Sequence, residues 1–153
     1  MIEIDGRIVY DPQAISGNSE ALFKPWWVIV SFGDSEISDF YSWLVYKRTS
    51  VKLQKPAWGS HVSVVRGEVP PNADKWKEWD GEIVKIIYDP DVRTNGNHWW
   101  LRASCPRLGD LRENLGLSRD GWYNLHITIG IAIPRDYERS NIALKSLMRF
   151  PEY

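Results

Sequence analysis

Hydrophobic and polar positions along the chain repeat with period two in some stretches and with the helical period in others, and the switches between them mark the elements. Ile2 to Ile4 and Arg7 to Tyr10 flank an Asp5-Gly6 pair, a two-residue link that predicts a small β-hairpin at the start. After a polar loop, Trp26 to Phe32 is dense in aromatic and β-branched residues and stops at Gly33, as a buried strand does. Asp34 or Ser35 then offers a cap for a helix. Its Ile37, Phe40, Tyr41, Leu44 and Val45 fall at i, i+3, i+4, i+7 and i+8, one inward face, with Lys47 and Arg48 near its end.

Trp58 to Arg66 reads as a second strand, Pro70-Pro71 breaks it, and a short helical piece is expected around Asp74 to Trp79. Glu82 to Tyr88 and His98 to Ser104 read as strands whose link contains an Asn95-Gly96 turn. Pro106 can open a helix carrying Leu108, Leu111 and Leu115. Trp122 to Ile133 alternates and then fills with β-branched residues as a core strand would. Ser140 is the expected cap of a last helix with Leu144, Leu147 and Met148 inward. No long linker and no repeat of roughly 20 to 50 residues interrupts this order, so a single α+β domain over residues 1–153 is expected.

Two of the three histidines sit in near-identical contexts, His61-Val62-Ser63-Val64 and His126-Ile127-Thr128-Ile129. On a strand, residues i and i+2 share a face, so each motif offers one imidazole and one hydroxyl on one side and anchors itself with β-branched residues on the other. A hydroxyl at i+2 of two out of three histidines arises by chance in roughly 3% of sequences of this composition. A structural reading, with each histidine a surface residue on an amphipathic strand, stands beside the chemical one.

Two imidazoles facing one another suit general acid–base chemistry, since one can take a proton while the other gives one. Ser63 and Thr128 can donate hydrogen bonds to the non-bridging oxygens of a phosphate and stabilise charge growing there. The expected reaction is phosphodiester cleavage without a metal or other cofactor, started by a ribose 2′-hydroxyl or by water. The sequence does not say which histidine is the base.

Two His-x-Ser/Thr strands about 65 residues apart in a small α+β chain resemble the two-histidine (2H) phosphoesterase superfamily. Among its branches the chain looks most like the phage anti-CBASS enzymes, which destroy cyclic oligonucleotide alarm signals. RNA 2′,3′-cyclic phosphodiesterases and 2′,5′-oligonucleotide phosphodiesterases are the rivals within the superfamily, and a non-catalytic nucleotide-binding protein is the rival from another class. The resemblance covers eight residues. It implies a two-lobed fold with antiparallel sheets around a central cleft, His61, Ser63, His126 and Thr128 as a catalytic tetrad, and action in the host cytoplasm if the protein is viral. Ser63 stands where many relatives have Thr, which keeps the hydroxyl.

Composition narrows the partner. The formal net charge is −1, from 19 Lys and Arg against 20 Asp and Glu, which argues against a long nucleic acid and for a cyclic di- or trinucleotide or a short oligonucleotide. The chain has nine tryptophans, more than one core of this size needs, and base stacking on aromatic rings is worth roughly 1 to 3 kcal/mol per base. The one cysteine, Cys105, fits a reducing compartment and excludes an internal disulfide, so the cytoplasm is expected. Neither a leader nor a membrane span is expected from the hydropathy pattern, and exposed edges and tryptophans permit a dimer without requiring one.

The remaining candidates carry less. Arg66 could reach a phosphate at the end of its strand, although strict alternation puts it on the Val62 and Val64 face, where a structural salt link would serve. Trp76 and Trp79, at i and i+3, fit either a base-stacking lid or one face packed on the core, and the core is favoured. Tyr10 is a further candidate for stacking. His98 lacks a hydroxyl at i+2 and reads as a strand-end histidine, and Asp89 with Asp91 reads as an Asp-Pro turn rather than a metal site.

Overall fold

Strands form where β-branched and aromatic residues concentrate, and helices where apolar residues fall three and four apart. The computed structural model describes residues 1–13, 25–33, 37–121 and 124–147. Its strands are β1 (Ile2–Tyr10), β2 (Trp27–Ser31), β3 (Leu53–Gln54), β4 (His61–Arg66), β5 (Ile83–Tyr88), β6 (Arg93–Thr94), β7 (His98–Ser104) and β8 (His126–Ala132). The helices are α1 (Ile37–Thr49), α2 (Pro106–Asn114) and α3 (Tyr137–Leu147). Every strand pairing is antiparallel. Six strands close on themselves in the order β8-β4-β2-β1-β5-β7, with β3 added beside β8 and β6 beside β7. The α+β class is thus realised as a closed antiparallel barrel with three α-helices among the described residues.

The order β1-β2-α1-β4 returns as β5-β7-α2-β8. The last strands of the two units pair with each other and so do the first, which closes the barrel. Across the β4–β8 seam Val62 lies opposite Ile127, and each is the residue after its motif histidine. An approximate two-fold axis therefore passes between them. The irregularities repeat as well. The β2–β4 pairing slips between Val28 and Ile29, leaving Val64 as a bulge, and the β7–β8 pairing slips between Trp99 and Trp100, leaving Ile129 as one. Both bulges fall three residues after the histidine.

Val62, Val64, Ile127 and Ile129 are at most 1% exposed and share one hydrophobic cluster with Tyr41 and Val45 of α1, Leu108 and Leu111 of α2, and Leu115 just after α2. Helix α1 packs against β8 and α2 against β4, so each unit's helix covers the other unit's motif strand. Burial of these side chains, worth roughly 1.5 to 3 kcal/mol each, holds both strands in place from behind.

Several expectations are corrected. Asp5-Gly6 is not a turn: β1 runs unbroken because partners line both its edges, Gly6 opposite Val84 and Ile8 opposite Val30. Gly6 serves close approach instead, since a Cβ there would lie 2.4 Å from Val30 Cγ1 and 2.9 Å from Phe32. Phe40 is half exposed, and α1 buries Ile37, Ser38, Tyr41 and Val45. Trp58 lies in a turn ahead of β4, and the piece near Asp74 is one 3-10 turn, Ala73–Lys75. Ser140 is not a cap. It lies inside α3, fully buried, where its hydroxyl meets the Gly96 carbonyl and accepts the Trp99 indole N–H at 2.9 Å. Asp34, Ser35, Trp122 and Met148, and the side chain of Leu147, lie outside the described residues.

Candidate active site

Directly opposed residues of an antiparallel pair share a face. With Val62 opposite Ile127 on the buried side, one step in either direction places His61 opposite Thr128 and Ser63 opposite His126, all four on the other side. The two imidazoles then lie on one diagonal of this rectangle and the two hydroxyls on the other, with diagonal neighbours roughly 7 to 8 Å apart. That spacing puts both rings and both hydroxyls on one patch of the sheet face. The shared polar face expected for the two motifs is what the β4–β8 seam provides.

Each ring is held in the same way. His61 Nδ1 lies 2.8 Å from the Gly59 carbonyl and His126 Nδ1 lies 2.8 Å from the Asn124 carbonyl, two residues back in both cases. A carbonyl only accepts, so Nδ1 carries the hydrogen and donates it. In the neutral ring this leaves Nε2 with an open lone pair. Ser38, at the start of α1, braces both motifs: its hydroxyl lies 2.7 Å from that of Ser60, beside His61, and donates to the Thr128 carbonyl at 3.4 Å.

The two histidines differ in surroundings. His61 is 8% exposed, with the Trp27 ring edge-on at 5.9 Å, whereas His126 is half-buried, with the Trp100 ring edge-on at 6.5 Å. Burial pushes the His61 imidazole below its ordinary value. The Gly59 carbonyl opposes this, and the positive charges of Arg66 and the facing His126 add to it. The Trp27 indole donates to Ser63 Oγ at 3.2 Å, which directs the hydroxyl's own hydrogen elsewhere.

The bulge at Val64 changes the reading of Arg66. One extra residue reverses the alternation, so Arg66 lies opposite Trp27 on the motif face and its guanidinium sits over the Trp27 ring, 5.0 Å from the centroid. Arg102 lies opposite His126 on β7 and so joins the same face from the other side. Sequence reasoning missed it, although Trp100 and Arg102 at alternate positions of β7 carried the signal. Beside His126 and Thr128 opens a cavity of about 470 Å³ whose wall includes Trp100, Arg102 and His98. His98 is thus more than a strand-end residue by position.

Tyr10 and Trp76 are not brought to the motifs. Tyr10 lies opposite Val28 on the buried face and is 6% exposed; Trp76 packs edge-on against it at 5.0 Å and donates its indole N–H to Asp11. Trp79 lies half-buried beneath the guanidinium of Arg107, consistent with packing on the core. Among the described residues no three His, Cys, Asp or Glu side chains gather as a metal site would require, and no helix is long and apolar enough to cross a membrane. The chain matches no protein-family model, no curated protein and no solved structure.

Proposed function

We propose that this chain is a metal-independent phosphodiesterase acting on small oligonucleotides, with His61 as general base, His126 as general acid, and Ser63 and Thr128 as donors to the phosphate. The observation that carries this reading is the single polar face of the β4–β8 seam, which brings together two imidazoles, each anchored through Nδ1 to a backbone carbonyl, and two hydroxyls. The two units meeting at that seam are read as the two lobes of a 2H phosphoesterase-like fold. Cyclic di- or trinucleotide messengers are the favoured substrates, and their destruction would counter host antiviral signalling. The near-neutral charge and the aromatic content support a small ligand over a long one.

In the proposed reaction, neutral His61 removes the proton of a ribose 2′-hydroxyl as the O2′–P bond forms. The P–O5′ bond breaks opposite it, and His126, starting protonated, gives its Nε2 proton to the departing oxygen. The products are a 2′,3′-cyclic phosphate end and a free 5′-hydroxyl, and water returns the two rings to their starting states. The assignment of roles follows the surroundings: the drier ring, behind Trp27, is the one kept neutral, and the ring beside the open cavity faces the leaving group.

The test is mass spectrometry after incubation, in excess EDTA, with cyclic dinucleotides, cyclic trinucleotides, 2′,5′-oligoadenylate and a cyclic-phosphate-ended RNA. Cleavage of a cyclic member to a 2′,3′-cyclic phosphate product is expected. Loss of only the linear species would move the protein to RNA processing, and full recovery of every compound would refute the enzymatic reading.

A further inference from the structure

The approximate two-fold makes the two halves of the site directly comparable, and they differ. In the first unit the β2 position opposite Arg66 is Trp27, 2% exposed, which meets Trp58 edge-on at 4.7 Å and fills that half. The equivalent position on β7, opposite Ile131, is His98, and it is exposed. There the cavity of about 470 Å³ stays open, within the range of small-molecule sites. Trp100 supplies a flat wall, and Arg93, Asn95, His98 and Arg102 supply the polar rim. No Asp or Glu is among its described lining residues.

The direction of Asn95 is fixed by its neighbours. Its Oδ1 accepts the backbone N–H of Asn97 at 3.1 Å and of His98 at 2.9 Å, so the donor end, Nδ2, is the end left to meet a ligand. The loop that carries it is clamped to α3, where Ser140 holds both the Gly96 carbonyl and the Trp99 indole. A rim of amide and guanidinium donors without a carboxylate favours a flat ligand with acceptors along one edge. Guanine shows two acceptors, O6 and N7, on its major-groove edge, whereas adenine shows one acceptor and the N6 donor.

We propose that this cavity is a nucleobase subsite for the nucleoside that departs through its 5′-oxygen at His126, and that it takes guanine in preference to adenine. The inference rests on the phosphodiesterase reading for the presence of a nucleoside at that place. Trp100 is the stacking wall, and Asn95 and Arg102 read the edge.

The experiment titrates 5′-GMP and 5′-AMP separately into the full chain at fixed salt, followed by tryptophan fluorescence and by NMR of the Trp100 indole and the His98 ring. GMP is expected to bind about tenfold more tightly than AMP, with shifts centred on those two residues. Asn95→Asp keeps an oxygen for the two backbone N–H groups and turns the outward donor into an acceptor, so the GMP to AMP ratio should fall. Arg102→Met should weaken GMP while retaining the fold. Equal affinities, or an unchanged ratio in N95D, would overturn the base selection and leave a phosphate-binding site; no binding of either nucleotide would overturn the subsite altogether. The function fails separately: preferential GMP binding without cleavage of any diester keeps the subsite and removes the enzyme, whereas equal kcat/KM for ApG and ApA keeps the enzyme and removes the subsite.

Discussion

Replacing Glu68 with alanine is expected to destabilise the fold by about 3 kcal/mol. Arg112 of α2 is 4% exposed, and its guanidinium donates to both carboxylate oxygens of Glu68 at 2.7 Å, to the Ser118 carbonyl at 2.6 Å and to the Val64 carbonyl at 2.9 Å. Breaking a buried pair from one side costs roughly 3 to 5 kcal/mol, because the surviving charge keeps its desolvation penalty and loses its compensation. The Glu68 side chain is 21% exposed, so water can partly replace it, which selects the lower end. For a chain of this length such a loss lowers Tm by about 6 to 12 °C. Urea unfolding followed by tryptophan fluorescence reads it directly, and a loss under about 1 kcal/mol at an unchanged m-value would refute the view that this guanidinium is desolvated and dependent on Glu68. Because Arg112 also holds the carbonyl of the bulged Val64, E68A should disturb the placement of Arg66 and raise KM more than it lowers kcat.

Three further outcomes are expected. His61→Ala and His126→Ala should each lower kcat/KM by about 10²- to 10⁴-fold with near-UV circular dichroism intact, and retention of turnover to within a few-fold in either variant would remove that ring from the chemistry. Since burial holds His61 below its ordinary value of 6.5, the folded chain binds its proton less readily than the unfolded one. Its contribution to stability is therefore complete above pH 6.5 and is lost as pH falls through the lower folded value; His61→Gln should flatten that acid slope, and the acid limb of kcat/KM should lie below pH 6.5. Gly6→Ala should cost about 1 to 3 kcal/mol in urea unfolding, because the new methyl meets Val30 and Phe32 inside a strand paired on both edges.

What the sequence made legible was local. The alternation in His61-Val62-Ser63-Val64 and His126-Ile127-Thr128-Ile129 located a polar and a buried face on each strand, and the 3.6 period located α1 and α2. The relation between the two halves was not legible. Only the motif tetrapeptides are alike between them, whereas Trp27 answers to His98 and Ile29 to Trp100, so the correspondence exists in hydrogen-bond register and not in residue identity. Strict alternation puts Arg66 on the wrong face because a bulge is a property of two paired strands, and alternation along one strand does not contain it. Asp5-Gly6 failed for a related reason: turn propensity is local, and the pairing of β1 with both β2 and β5 overrides it.

The anchoring of both imidazoles by the carbonyls of Gly59 and Asn124 has a genetic consequence. A main-chain oxygen is present whatever side chain the codon specifies, so substitution at Asn124 leaves the His126 anchor intact. Gly59 is constrained only through its backbone, which has φ +72°, a conformation that favours glycine. A codon-by-codon scan would therefore credit the two histidines, pass over Asn124, and register Gly59 only through the strain of its backbone. Exchanging the amide that carries either carbonyl for an ester, which weakens the carbonyl as an acceptor, is the change that would reveal it.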